Sequence, residues 1–170
     1  MARVLLVGGS ARARALVPAL AGCGHAVRAI GADDDAVALL GEAGAEAVLA
    51  DPDRLGTLLP HLQGVSALCW LLGSDEGDPE AVRALHGPRL ETMVETLVDT
   101  HVRGVVYEAA GTVPPEVLEE GAATVERLGA TFRMPVAIVR HAPDDVQGWV
   151  EAVAGAVDSV LDPGFGCRPQ

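Results

Sequence analysis

An apolar run, Val4-Leu5-Leu6-Val7, leads directly into Gly8-Gly9-Ser10-Ala11-Arg12-Ala13-Arg14. A strand that turns through glycines into a helix lets backbone amides at the helix N-terminus approach a phosphate. Gly8 and Gly9 supply the tight turn, Ser10 offers a capping hydroxyl, and Arg12 and Arg14 carry guanidinium groups able to pair with phosphate oxygens. Ala11 and Arg14 stand where a GxxGxxG pattern counted from Gly8 would have its close-approach glycines. An ordinary strand-to-helix turn with two solvated arginines accounts for the same residues. A second set could move protons. Tyr107, the one tyrosine, and Glu108 close one apolar run, and His141 follows another. Glu108 and His141 would then end adjacent strands as an acid/base pair, with His86 and Arg89 as a further candidate pair. A histidine after a strand also serves as a plain polar strand end.

All twelve basic residues are arginine. Without lysine, a Schiff base, a Walker-type phosphate lysine and a Tyr-x-x-x-Lys proton relay are closed. The formal charge of −12 repels a phosphate backbone, so nucleic acid is not an expected partner. Cys23, Cys69 and Cys167 are odd in number and far apart, which suits neither a disulfide framework nor a CxxC metal site. No metal is expected, and a reducing compartment is the simplest inference. No apolar run approaches the ~20 residues of a membrane span. The run at 4–7 is too short for the core of a secretory signal. A cytoplasmic protein is expected.

These residues must be positioned by alternating strands and helices. Short apolar runs predict strands at about 3–7, 26–30, 47–49, 66–72, 103–107 and 135–139, near-continuous as in a parallel sheet covered on both faces. The expectation is one Rossmann-like α/β domain over residues 1–161, a doubly wound sheet of order 3-2-1-4-5-6, and a flexible tail over 162–170. Its ligand crevice would lie above the C-terminal ends of strands 1 and 4. Pro18 should kink or delay the first helix. Asp51-Pro52 and Asp78-Pro79 read as helix starts, the first opening a third helix that buries Leu55, Leu58, Leu59 and Leu62. Gly87-Pro88 should break the fourth helix before Leu90, Met93, Val94, Leu97 and Val98. The fifth should end before Gly129, and the last should carry an apolar stripe from Val146 to Leu161.

Over residues 3–143 the layout resembles the atypical and extended short-chain dehydrogenases, the NmrA-like and nucleoside-sugar-epimerase-like group. The resemblance rests on the strand and loop at 4–10, on Gly24-His25-Ala26-Val27-Arg28-Ala29-Ile30, on Asp51-Pro52-Asp53-Arg54-Leu55, on Gly64-Val65-Ser66-Ala67-Leu68 and on Val136-Ala137-Ile138-Val139-Arg140. It implies a dinucleotide across Gly8, Gly9 and Ser10, Asp51 near the adenine, and Leu72-Gly73-Ser74 beneath the nicotinamide half. Asp51 is equally explained as an N-cap, and Gly73-Ser74 as a strand-end turn. NADP-binding members place an arginine just after strand 2; here that place is Ala32, followed by Asp33, so NAD is favoured over NADP. Asp33-Asp34-Asp35 also reads as acid collected at a helix N-terminus. Two departures bear on activity: Gly111 stands four residues beyond Tyr107, where the family has lysine, and no substrate part is visible after His141.

Three functions compete. The first is an NAD(P)-binding sensor, regulator or subunit without tyrosine–lysine dehydrogenase chemistry. The second is a small enzyme using another acid/base pair, and the third is a ligand-free scaffold forming a homodimer through an exposed helix face such as the last.

Overall fold

The computed structural model describes residues 2–162. The chain runs β1 (Arg3–Gly8), α1 (Ser10–Gly22), β2 (Ala26–Gly31), α2 (Asp34–Glu42), β3 (Glu46–Leu49) and β4 (Ala67–Leu71). It continues α3 (Pro79–Leu85), α4 (Pro88–Leu97), β5 (Gly104–Glu108), α5 (Pro115–Phe132), β6 (Val136–Val139) and α6 (Val146–Leu161). All pairings are parallel and the order is β3-β2-β1-β4-β5-β6. The doubly wound expectation holds.

The central strands are near-continuously apolar because both faces are covered, and their alternation sorts the core into two layers. Leu5, Val7, Leu68, Trp70, Val105 and Tyr107 face α3, α4 and α5. Val4, Leu6, Cys69, Leu71 and Val106 face α1, α2 and α6. Each such fully buried large side chain contributes about 1.5–3 kcal/mol over exposure. Asp78 caps α3 by accepting from the Ala81 amide at 3.2 Å, and Gly87-Pro88 divides α3 from α4. The stripe of α6 lies on its own sheet, with Trp149, Val150, Val153, Val157 and Val160 buried and Val146 exposed. The apolar stripe expected on the last helix is thus covered within the chain.

Several expectations are corrected. No third α-helix forms; residues 55–57 and 59–62 make two 3-10 turns. Thr57 Oγ1 accepts from the Asp51 amide at 2.8 Å and donates toward the Arg54 carbonyl at 2.7 Å, and Pro60 has no amide to propagate an α-helix. Leu58 and Leu62 are buried but Leu59 is exposed. Asp51 is no helix cap, since its carboxylate accepts from the Asp53 amide in a local turn. Pro18 does not delay α1, which begins at Ser10; it lies on the exposed side. Gly129 does not end α5. A Cβ there would come within 2.7 Å of a Val136 methyl, so glycine serves the close approach of helix to strand, and Arg133 at φ 55 ends the helix. Val98 is exposed beyond the buried stripe of α4. Cys23 is disulfide-bonded, so a reducing compartment does not follow from the cysteines, while Cys69 is free and buried. Cys167 and the tail from 163 onward lie outside the described residues.

Candidate functional site

β1 ends in two glycines, Gly8 at φ 86 and Gly9 at φ 90, a region that L side chains avoid. The reversal brings the Gly9 amide onto the Leu71 carbonyl of β4 at 2.7 Å, and the Gly9 carbonyl accepts from the Arg12 and Ala13 amides. Gly9 is therefore the cap position of α1, in place of the expected Ser10. The Ser10 side chain lies outside the described residues. A Cβ on Gly8 would lie 2.5 Å from both the Leu71 carbonyl oxygen and a Leu72 methyl. The crevice thus starts where expected, with Leu72 pressed onto its glycine floor.

On the β2–β3 side of this turn the crevice is open. A cavity of about 330 Å³ is lined mostly by small or apolar residues, among them Gly8, Ala11, Gly31, Ala32, Ala36 and Ala50. Arg14 is the cation of this wall and Asp75 its carboxylate. Burial raises the Asp75 pKa above its ordinary value, and the charges of Asp53 and Asp51 raise it further. Asp53 is paired with Arg89 at 3.1 Å. Asp33 does not line the cavity; its carboxylate caps α2 by accepting from the Ala36 amide at 2.8 Å. Asp51 sits between two wall residues, Ala50 and Pro52.

On the β4–β5 side the crevice is filled by the chain itself. Glu108 is fully buried. Its Oε1 accepts from the Gly73 amide at 2.9 Å, and its Oε2 accepts from Arg12 at 3.0 Å and from the Trp149 indole N–H. The Arg12 guanidinium lies 4.5 Å from the centroid of the Trp149 ring, a cation–π contact added to the ion pair. A Cβ on Gly73 would fall 2.0 Å from the Ala110 carbonyl oxygen, and one on Gly111 would fall 2.1 Å from the Gly73 carbonyl oxygen and 2.5 Å from the Ser74 hydroxyl. The Val113 amide donates to Gly73 at 3.0 Å. The loops after β4 and β5 therefore touch backbone to backbone.

The candidate proton-transfer residues are dispersed. Tyr107 is fully buried in the α3–α5 layer, and its hydroxyl lies 2.6 Å from His86 Nδ1. His86 Nε2 lies 3.0 Å from the Leu72 carbonyl, which can only accept; Nε2 therefore carries the proton, and Nδ1 accepts from the tyrosine. Burial raises the Tyr107 pKa, with smaller contributions from the charges of Glu108 and Glu119, and burial lowers that of His86. His141 is bonded to Asp145 at 2.9 Å at the start of α6. That bond first, and the Gly148 amide second, lower the Asp145 pKa. Glu108 and His141 are each engaged elsewhere, and so are His86 and Arg89, so neither expected pair forms. Among the described residues no three metal-ligating side chains gather, and no helix is long and apolar enough to cross a membrane.

Sequence reasoning missed Asp75 and Trp149 as site residues; Leu72, expected beneath the nicotinamide half, packs over Gly8. Only Trp149 left a signal: an indole in an aliphatic stripe needs an acceptor for its N–H.

No family model and no curated protein sequence matches the chain. Solved structures do. BdcA from E. coli shares 19% identity at a TM-score of 0.69, over 90% of this chain and 88% of that one. The Citrobacter sp. triphenylmethane reductase complexed with NADP(H) shares 18% at 0.60, over 82% of this chain and 49% of that one. UDP-glucuronic acid 4-epimerase from Bacillus cereus, in complex with NAD, shares 16% at 0.62, over 84% and 59%. The chain spans about half the length of the reductase and under two thirds of the epimerase. At these identities the likeness is one of fold: a Rossmann-type doubly wound sheet.

Proposed function

We propose that this chain is a nucleotide-binding domain that takes a nicotinamide dinucleotide by its adenosine end and carries out no tyrosine–lysine dehydrogenase chemistry, acting as a sensor, regulator or subunit. The observation that carries this reading is the small-residue cavity beside the two positive-φ glycines at the end of β1, facing the ends of β2 and β3. In a Rossmann crevice that is the place of the adenosine ribose and its phosphate. Structures of similar fold were solved with NADP(H) and with NAD. Gly8, Arg14, Ala32, Ala50 and Asp75 are the residues proposed to meet the ligand, with Gly9 and Ser10 forming the turn.

NAD is favoured over NADP, because Ala32 provides no guanidinium for a 2′-phosphate and Asp75 faces the same space. Hydride exchange is what a nicotinamide supplies. Tyr107 has no part in it, since its hydroxyl donates to His86 inside the core and burial keeps it protonated. A thermal-shift series with NAD, NADH, NADP and NADPH tests the reading. NAD and NADH should raise the melting midpoint more than their phosphorylated counterparts, since a ligand bound by the native state alone stabilises it. No shift with any of the four at millimolar concentration overturns the proposal.

A further inference from the structure

The crevice of a dinucleotide-binding sheet has two halves, one at the ends of β1–β3 and one at the ends of β4–β6. Their states differ here, and the second half does not fit a nicotinamide. Three features close it. Gly73 lies in backbone contact with Ala110 and Gly111, leaving no slot between the two loops. Leu72 covers Gly8 between the halves and is 4% exposed. The anion-binding groups of this half, Arg12, the Gly73 amide and the Trp149 indole, already hold the Glu108 carboxylate.

Displacing Glu108 is costly. A carboxylate removed from its partners inside a protein, or the partners left without it, keeps the desolvation penalty without the compensating bonds. A second phosphate entering the same place would meet a carboxylate in place of free donors. The open half, at about 330 Å³, is at the small end of ligand pockets, which span roughly 300–1,000 Å³. Among the described residues the cation of its wall is Arg14, which suits one phosphate beside a nucleoside.

We infer that the site recognises only the adenosine 5′-phosphate portion of its ligand, with the remainder of any dinucleotide left outside the crevice. This rests on the nucleotide-binding reading above and narrows it. The ligand class becomes adenosine 5′-phosphate compounds in general, and the protein is blind to the oxidation state of a nicotinamide.

Calorimetric titration of the full chain with AMP, ADP-ribose, NAD, NADH and nicotinamide mononucleotide tests this. AMP, ADP-ribose, NAD and NADH should bind within about threefold of one another, and nicotinamide mononucleotide should give no binding. NAD binding more than tenfold tighter than both AMP and ADP-ribose overturns the inference while leaving the nucleotide-binding reading intact. So does a tenfold difference between NAD and NADH. Silence from all five overturns both. Ala32→Trp narrows the open half at an exposed position and should weaken AMP and NAD equally, by tenfold or more, at an unchanged melting midpoint. A loss confined to NAD would overturn the inference.

Discussion

The ends of β1–β3 and the ends of β4–β6 are two stretches of the same edge of one parallel sheet, yet one is hollow and the other solid. On the first side the wall is mostly small or apolar, with Arg14 and Asp75 its charged members, and two nearby carboxylates, Asp33 and Asp51, are turned to local backbone bonds. On the second side one buried carboxylate gathers an arginine from α1, an indole from α6 and an amide from the loop after β4. The fold determines where a crevice can be. A handful of side chains at the strand ends decides whether it is one.

The solid half should therefore answer to mutation mainly in stability, and the open half mainly in binding. The largest effect is expected at Glu108. Glu108→Ala leaves Arg12, the Trp149 N–H and the Gly73 amide without their acceptor, and breaking a buried ion pair from one side costs about 3–5 kcal/mol. Glu108→Gln keeps one accepting oxygen and should recover part of it. Urea denaturation measures both, and a loss under about 1 kcal/mol for the alanine variant would mean the plug is not what closes this half.

Tyr107→Phe comes next. It leaves His86 Nδ1 buried without a donor, at about 1–3 kcal/mol, while AMP and NAD affinities should stay within twofold. A variant that keeps its stability but loses ligand would place Tyr107 on the binding side of the comparison.

The fold was legible because near-continuous apolar runs and glycine turns are local signals. The missing third helix was not, because a hydroxyl at Thr57 and the absent amide of Pro60 outweighed four well-spaced leucines. The location of the crevice could be read from Gly8 and Gly9. Its state could not, since Glu108 meets Arg12, Gly73 and Trp149 across 96, 35 and 41 residues of sequence. Arg12 read alone is a phosphate ligand; with Glu108 and Trp149 around it, it belongs to the core. Tyr107 likewise reads as a reactive phenol until Leu72 and His86 are seen to complete its hydrogen-bond chain.

In the open half, Ala32→Arg places a guanidinium just after β2, at the wall of the proposed ribose site. The ratio of NADP to NAD affinity should rise about tenfold, or about 1.4 kcal/mol, with no loss of stability at this exposed site. Competition calorimetry reads it, and an unchanged ratio would show that the ribose does not lie against the end of β2.

The smallest effect, and the one most specific to the open half, is expected at Asp75. Its pKa is raised in the folded protein by burial first, then by Asp53 and Asp51. A carboxyl whose folded pKa exceeds its unfolded value binds more protons when folded in the range between the two, so stability falls as pH rises through that range. At neutral pH the charged Asp75 therefore opposes folding, although burial is partial and solvent softens the penalty. Asp75→Asn removes the charge at nearly constant volume. The variant should melt slightly above the wild type at pH 7, with the difference shrinking toward zero as acid protonates the wild-type group. The same substitution should strengthen AMP binding at pH 7, since a phosphate entering the cavity no longer meets that charge. A lower melting midpoint at pH 7, or an advantage that grows toward acid, would show that Asp75 is stabilised by a partner in the wall and is not an uncompensated charge facing the ligand space.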